Sequence, residues 1–563
     1  MYLRESKQRR ADGTVVSYLQ LAENVWDSER QRSQTHVVHN CGRADDPAVT
    51  ERLRKLAASI LRRCSPEEIA GASHGDLRLV CAWPYGEVYV LQALWQRLGI
   101  DQVIRQQAHA RRLGFDVERA LFAMVANRAC APCSKLYCQE QWLKEEVHIP
   151  GTKGLSLQHL YRAMDFLEAN KEPIEREIFH RVADLLNLDV QVLFYDTTSL
   201  HFEIDQPDQG QGKQDIVHGS QAAGHKEYKA PRKRGLSKNG RGDAPQIVIG
   251  MAVTREGFPV RHWVFPGNTV DVSTVAQVKR DLRDWQLTRC LFVGDAGMVS
   301  AANFKALAAG GGKYLMCMPL RRGDALTEQV LGRAGRYRTV SERLQVKEVV
   351  IGDGERRRRY ALCLNPEEAL RQQRHRQYLV KEIEAELAAM GDAAQDVQSK
   401  RVAALRSSKR YGKYLQLGDK GLELDAKAIK AAEHYDGKFL VHGNDDTLTV
   451  EDMALGYKQL MRVEQAWRDM KSTLDMRPVF HWAPHRIHAH VAITVLSLLL
   501  ERTVEHACAD TWRNVSDQLR RIQLAQLSGA NGTVWQVTEP TPQAAKCLKT
   551  LQIKPPPPIL QID

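Results

Sequence analysis

Apolar residues recur along the chain with two periods, and the switches between them mark its organisation. The first forty-odd residues alternate in a β-like way, with Val15, Val16, Tyr18 and Leu19 following an Asp12-Gly13 turn signal. From Glu51 to Asn187 the spacing becomes helical. Val88, Leu91, Leu94, Trp95 and Leu98 share one face, Leu121, Met124 and Val125 begin another, and Leu160, Met164 and Leu167 a third. A strand-rich block opens at Val190. VQVLFYD is a buried-strand run ending on Asp196, and QIVIGMAVT and FPVRHWVF form a hairpin around Gly257. Asp271 to Trp285 is an amphipathic helix with Val275, Val278, Leu282 and Trp285 inward. CLFVGD is the next strand, ending on Asp295; Ser300 caps a helix that stops at Gly310-Gly311, and KYLMCMP is a further strand.

The order β-β-β-α-β-α-β suits an α/β, RNase H-like core, a mixed sheet with flanking helices in which the first and fourth strands are neighbours. That neighbourhood sets Asp196 beside Asp295 despite their distance in sequence. Beyond it, strands are expected around Gln345 to Ile351 and Arg359 to Leu364, and a long charged helix from about Glu367 to Met390. A basic turn, SSKRYGKYLQ, and a strand, KFLVHGN, follow. Thr449 with Asp452 forms a capping-box-like start for the next helix. YKQLMRVEQAWRDMK, Tyr457 to Lys471, reads as one helix with Tyr457, Glu464 and Lys471 on one face and Arg468 one turn beyond Glu464. Trp467 is expected to be buried. The expected division is 1–187 (β-like start, then helices), 188–319 (first part of the core), 320–447 (a β-rich insertion domain), 448–505 (closing helices) and 506–563, a tail whose Pro555 to Pro558 run is extended and non-globular.

Size and charge narrow the picture. At 563 residues the chain exceeds one core, and 43% hydrophobic content excludes global disorder. A net charge of +12 with a pI near 9.1 favours a polyanionic partner, chiefly nucleic acid. Mean hydropathy is −0.42, the start MYLRESKQRR has no apolar signal region, and the run HVAITVLSLLL is too short to span a bilayer. The eleven scattered cysteines fit a reducing cytoplasm. Cys130, Cys133 and Cys138 lack the partners of a zinc set, and His481, His485, His488 and His490 read as packing or phosphate-contact residues.

Three carboxylates, two after strands and one on a helix, are the hardware of metal-dependent phosphoryl transfer, since hard divalent cations take oxygen ligands. Asp196, Asp295 and Glu464 are the candidate catalytic and metal-holding residues, for two Mg²⁺ ions with Mn²⁺ able to substitute. Lys471 can neutralise a phosphate beside the scissile bond, and Tyr457 can hydrogen-bond or stack. The segment Gln221 to Arg241 is a glycine- and proline-broken loop carrying Lys226, Lys229, Arg232, Lys233, Arg234, Lys238 and Arg241, a candidate phosphate-tracking loop.

These segments together resemble the DDE transposases of bacterial insertion sequences, in particular the insertion-sequence-four type group with the signature Tyr-x2-Arg-x3-Glu-x6-Lys. Tyr457, Glu464 and Lys471 fit that spacing; Leu460 stands at the arginine position, with Arg462 and Arg468 the candidates to supply its role. The resemblance extends to RPVFHWAPHRIHAHV, to GNTVDVSTV around Asp271 and to REGFPV around Pro259, and covers the chain from YLRES to about Leu500. It implies Asp196 as bridging ligand, with Asp295 and Glu464 each holding one metal, and a β-rich insertion before the glutamate. It implies a cytoplasmic enzyme, nucleoid-associated and not membrane-bound, that binds the terminal inverted repeats of its own element as a homodimer. Such an enzyme cuts the DNA and joins the 3′-hydroxyls to target DNA; use of a DNA hairpin intermediate stays open. A nuclease that cleaves without joining and a DNA-binding remnant are the alternatives. The helices before Asn187 suit end recognition and a dimerisation scaffold equally.

Overall fold

The computed structural model describes residues 1–10, 13–27, 32–61, 63, 78–109, 113–208, 211–212, 228–229, 231–238, 240–287, 289–320, 323–354, 357–390, 395–418, 421–529 and 532–562. The chain forms two compact units. The smaller comprises Met1–Ala82, Ala525–Gln536 and Ile559–Asp563. In it β1 (Tyr2–Arg9), β2 (Val15–Asp27) and β3 (Arg32–Arg43) form an antiparallel sheet, and α1 (Pro47–Leu61) packs on β3. Its β4 (Arg78–Pro84) belongs to a second sheet, completed by strands from near the end of the chain.

The larger unit begins with α2 (Gly86–Arg97), α3 (Ile100–His109) and α4 (Val117–Cys130), then α5 (Lys135–Tyr137) running into a π-helix at Cys138–Glu146. Next come α6 (Leu157–Ala169) and α7 (Lys171–Leu185). The central sheet starts with β5 (Val192–His201). After a two-rung ladder of β6 (Gln211–Gly212) and β7 (Tyr228–Lys229) come β8 (Gln246–Val253), β9 (Pro259–Pro266), α8 (Asp271–Asp284), β10 (Leu291–Gly294), α9 (Ala301–Ala308) and β11 (Lys313–Met318). Strand β5 runs parallel to β10 and antiparallel to β8, and β10 runs parallel to β11. The first and fourth strands of this block are thus neighbours, with the chain passing from β9 to β10 through α8.

The segment after β11 extends this sheet. It holds α10 (Ala325–Gly332), β12 (Arg338–Ser341), β13 (Leu344–Ile351), β14 (Arg358–Leu364), α11 (Pro366–Met390), α12 (Gln395–Ser407), the hairpin β15 (Leu415–Gly418) and β16 (Gly421–Leu424), α13 (Ala426–Glu433) and β17 (Lys438–Gly443). The full order is β12-β13-β14-β17-β11-β10-β5-β8-β9. The region expected to be a β-rich insertion is therefore mixed in content. Its apolar strand β17 pairs with both β11 and β14, so four of its strands continue the central sheet. Helix α11, with Tyr414 and the β15–β16 hairpin, builds a small core of its own around Leu379 and Ile383.

Two helices, α14 (Val450–Lys458) and α15 (Met461–Ser472), follow; the capping box of Thr449 and Asp452 starts the first. This departs from the single helix expected across Tyr457 to Lys471. At the tight turn between them Leu460 is buried and Leu460 and Val463 bond back three residues, so Tyr457 does not share one helical face with Glu464 and Lys471. Helix α16 (Pro484–Cys508) is long and apolar enough to cross a membrane by length and composition, but 83% of its apolar stretch is buried within the protein. The run HVAITVLSLLL is its middle, packed against α4, α6 and β9.

The tail is more ordered than its pattern indicates. It contains α17 (Trp512–Leu519), β18 (Gln523–Gly529), β19 (Gly532–Val537), α18 (Pro542–Thr550) and β20 (Ile559–Ile562). Strands β18, β19 and β20 join β4 in the order β20-β19-β18-β4. Near the proline run, Arg97 donates to the carbonyls of Leu551 and Gln552 and the Tyr89 hydroxyl to that of Lys554, so the chain approaching Pro555 is docked on α2.

Candidate active site on the central sheet

The two faces of the central sheet are built differently. Tyr195, Phe292 and Tyr314 point to one face, where α8 and α9 cover a core containing Val275, Leu282 and Trp285. Tyr195 is fully buried and its hydroxyl donates to Thr274 Oγ1 at 2.9 Å. Residues alternate across a strand, so Asp196 faces the other way, toward α15. Asp196 lies within β5, not at its end, because the ladder with β8 continues to His201.

Strand register brings the two aspartates together. Leu291, Phe292 and Val293 pair with Val192, Leu193 and Phe194; carried two residues further, the same offset sets Asp295 beside Asp196. Parallel neighbours lie roughly 4.8 Å apart, close enough for the charges to interact. Burial, reinforced by Asp295 and Asp271, pushes the Asp196 carboxyl up to about 6, against the pull of Lys238 and the Thr197 N–H. A divalent cation between the two aspartates would relieve that repulsion, and their hard oxygen donors suit Mg²⁺ or Mn²⁺.

Helices α14 and α15 bring polar groups to the same face. The Tyr457 hydroxyl donates to Asp295 Oδ1 at 3.0 Å. Burial, with Cys317 and Asp295 beside it, raises the Tyr457 phenol. Lys471 Nζ donates to Thr198 Oγ1 at 2.6 Å. Burial and the neighbouring charges of Arg477 and Lys238 bring the Lys471 ammonium down to about 8, with Asp196 opposing. Trp467, a residue of α15, is buried.

Glu464 stands apart. It is exposed on α15, two turns before Lys471, and among the described residues no three His, Cys, Asp or Glu side chains converge to hold a metal ion. Arg462 is exposed, and exposed Arg468 donates to Gln465.

The basic loop lies only partly within the described residues. Lys226 is outside them, and of Lys229 only its backbone place in β7 is described. Arg232 is buried, paired with Asp208 and stacked 4.7 Å over the Trp482 ring. Lys233 donates to the Asp208 carbonyl and Arg234 to that of Asp205. Arg241 pairs with Glu203 and Asp243. Lys238 alone of the described loop cations reaches the carboxylates, 3.8 Å from Asp196 and 3.0 Å from Asp271.

Sequence reasoning did not assign site places to Asp271, Thr197, Thr198 or Arg477, nor foresee Lys238 among the acids. The available signals were the pair of threonines after Asp196, the GNTVDVSTV text around Asp271 and the RPVFHWAPHRIHAHV text that opens on Arg477. Next to Lys471 a groove of about 480 Å³ is lined by Arg477, Arg232, His201 and the exposed rings of Phe480 and Trp482. The histidine-rich segment packs inward instead: His485 and Arg486 hold Asp165, and His490 bonds the Met476 carbonyl.

A family model described as "Transposase DDE domain" matches residues 212–500, just over half of the chain. The chain belongs to the DDE transposase family. A second model, "IS1634 family transposase, N-terminal domain", matches residues 3–70. This DNA transposase carries Asp295 and Glu464 inside the first match, while Asp196 precedes it. No curated protein matches the chain. Among solved structures, a cryo-EM structure of a piggyBac transposase synaptic complex with hairpin DNA aligns at 10% identity over 79% of this chain and 81% of that one, with a TM-score of 0.33, too low to bear on the fold.

Proposed function

We propose that this transposase binds the terminal inverted repeats of its insertion sequence, hydrolyses the phosphodiester at the ends and joins the freed 3′-hydroxyls to target DNA. Asp196, Asp295 and Glu464 are the catalytic carboxylates. The observation that carries the reading is the register of β5 and β10, which sets Asp196 and Asp295 side by side under Lys471 and Tyr457. Held by such carboxylates, Mg²⁺ or Mn²⁺ would supply positive charge for activating a water or 3′-hydroxyl and stabilising the leaving oxygen. Asp196 and Asp295 would hold that charge, Glu464 on α15 would complete the set, and Tyr457 fixes the orientation of Asp295. Lys471 and Arg477 meet the phosphates, while Phe480 and Trp482 offer stacking faces to bases.

The strand order, with first and fourth strands adjacent, supports an RNase H-like core. The spacing Tyr457, Glu464, Lys471 supports the insertion-sequence-four type grouping, and 320–447 is read as the insertion between the second aspartate and the glutamate. The amino-terminal region to residue 187 is assigned to end recognition and dimer formation, and the enzyme acts in the cytoplasm on nucleoid DNA.

The test incubates purified protein with linear DNA carrying the element's ends and Mg²⁺, beside Glu464→Ala. End cleavage and joined products in the wild type, both lost in the variant with binding retained, are expected. Cleavage without joining would make it a nuclease, binding without cutting in Mg²⁺ or Mn²⁺ a remnant, and equal cutting by the variant would remove Glu464 from the site.

A further inference from the structure

Lys238 reaches the carboxylate site from its exposed side. Its ammonium lies 3.0 Å from Asp271 Oδ2 and 3.8 Å from Asp196 Oδ1, and donates to the Thr197 carbonyl at 2.7 Å and Thr197 Oγ1 at 2.8 Å. Its backbone N–H is anchored on Ser199 Oγ at 3.0 Å. Asp271 is itself fixed. Thr197 Oγ1 donates to its Oδ1 at 2.5 Å, and its Oδ2 lies against Gly297, where a Cβ would approach it to 3.3 Å. At the start of α8, Asp271 is thus wedged between β5 and the loop that follows Asp295.

This arrangement has a cost for any second cation. An ammonium this close to Asp196 repels a divalent ion approaching the same oxygens, and one positive charge does not offset three neighbouring carboxylates. The lysine can also leave. Its side chain is 37% exposed, on a flexible stem. The other described cations of its loop are already engaged with Asp208, Asp205, Glu203 and Asp243.

Resting on the assignment of Asp196 as a metal ligand, we propose that Lys238 is an exchangeable counter-ion of the site. It neutralises Asp196 and Asp271 in the DNA-free enzyme and moves to a DNA backbone phosphate when a divalent cation takes its place, with Asp271 the positioning residue that parks it. The two binding events are then coupled. DNA that draws Lys238 away raises cation affinity, and the cation that displaces Lys238 raises DNA affinity by the same factor.

The test is Mn²⁺ binding, followed by the spin-resonance signal of free Mn²⁺, for full-length wild type, Lys238→Met and Asp196→Asn, each with and without duplex carrying the element's ends. Lys238→Met is expected to bind Mn²⁺ on the order of tenfold tighter than wild type without DNA. Added DNA brings wild type toward that affinity and changes the variant little. Lys238→Met binding no tighter than wild type overturns the proposal. A second reading does not depend on the variant's folding: Mn²⁺ should steepen the salt dependence of wild-type DNA binding by about one counterion. An unchanged slope counts against the exchange. Full Mn²⁺ affinity in Asp196→Asn would instead remove the metal assignment itself, a failure separate from either result on Lys238.

Discussion

Glu175 and Asp196 are carboxylates enclosed in the same compact unit, and their surroundings push them in opposite directions. Burial alone would raise Glu175, but Lys171 at 3.7 Å and His262, whose ring and backbone N–H meet Oε1 at 2.7 and 2.9 Å, bring it down to about 2. Burial raises Asp196 too, yet its one close cation, Lys238 at 3.8 Å, has no counterpart to His262 beside it, and Asp295 and Asp271 add to the rise, leaving it at about 6. The first group ties α7 to β9 and is compensated by its neighbours. The second is short of positive charge. A compensated buried carboxylate holds a scaffold together, whereas an under-compensated one in a polar niche keeps an affinity for a cation.

The largest expected effect separates the two at the level of chemistry. Asp196→Asn or Asp295→Asn should lower end cleavage by at least about a thousandfold, as loss of a metal-holding or charge-stabilising group does, with DNA binding retained in a gel-shift assay. Glu175→Gln should leave cleavage per folded molecule near wild type; a comparable loss would break the comparison.

Stability sharpens it with opposite signs. Glu175→Gln should cost about 2 kcal/mol at pH 7 in denaturant unfolding. A carboxylate lowered by folding contributes stability above its unfolded value, near 4.5, and loses it as pH falls through its folded value. The deficit should therefore shrink toward pH 2. Asp196 is raised by folding, so its contribution is greatest below the unfolded value, near 3.8, and is lost as pH rises through about 6. Asp196→Asn should then be as stable as wild type or more so at pH 8 without divalent ions, and a clear loss would assign Asp196 a structural role.

Smaller effects probe the surroundings of the site. Trp482→Ala should weaken binding of end-carrying DNA by roughly 1 kcal/mol through lost stacking, measured by fluorescence anisotropy. Tyr457→Phe removes only the hydroxyl held by Asp295, and a drop in cleavage rate of a few-fold, about 1 kcal/mol or less, is expected. No change in either variant would confine the site to the carboxylates and Lys471.

The residues themselves determined much of this. Short apolar runs located β5, β8, β9, β10 and β11, helical spacing located α8, a long charged stretch located α11, and local signals such as Ser300 and Thr449 marked helix starts, because these depend on neighbours within a few residues. The strand order inferred from those elements put Asp196 and Asp295 next to each other. Only the tertiary structure decided the rest. The expected helix divides at Gln459 and Leu460, where the backbone bonds back three residues and Leu460 is buried, a break no local pattern carries. Arg232 turns inward onto Asp208 and Trp482, and Lys238 enters the acidic site, because contacts distant in sequence, not loop composition, decide which charges are satisfied internally. The proline-rich tail docks because Arg97 and Tyr89, more than four hundred residues away, supply donors for its carbonyls. Periodicity fixes elements through short-range sterics and burial, whereas the balance of charge at a site is a sum over chain segments that meet only in the fold.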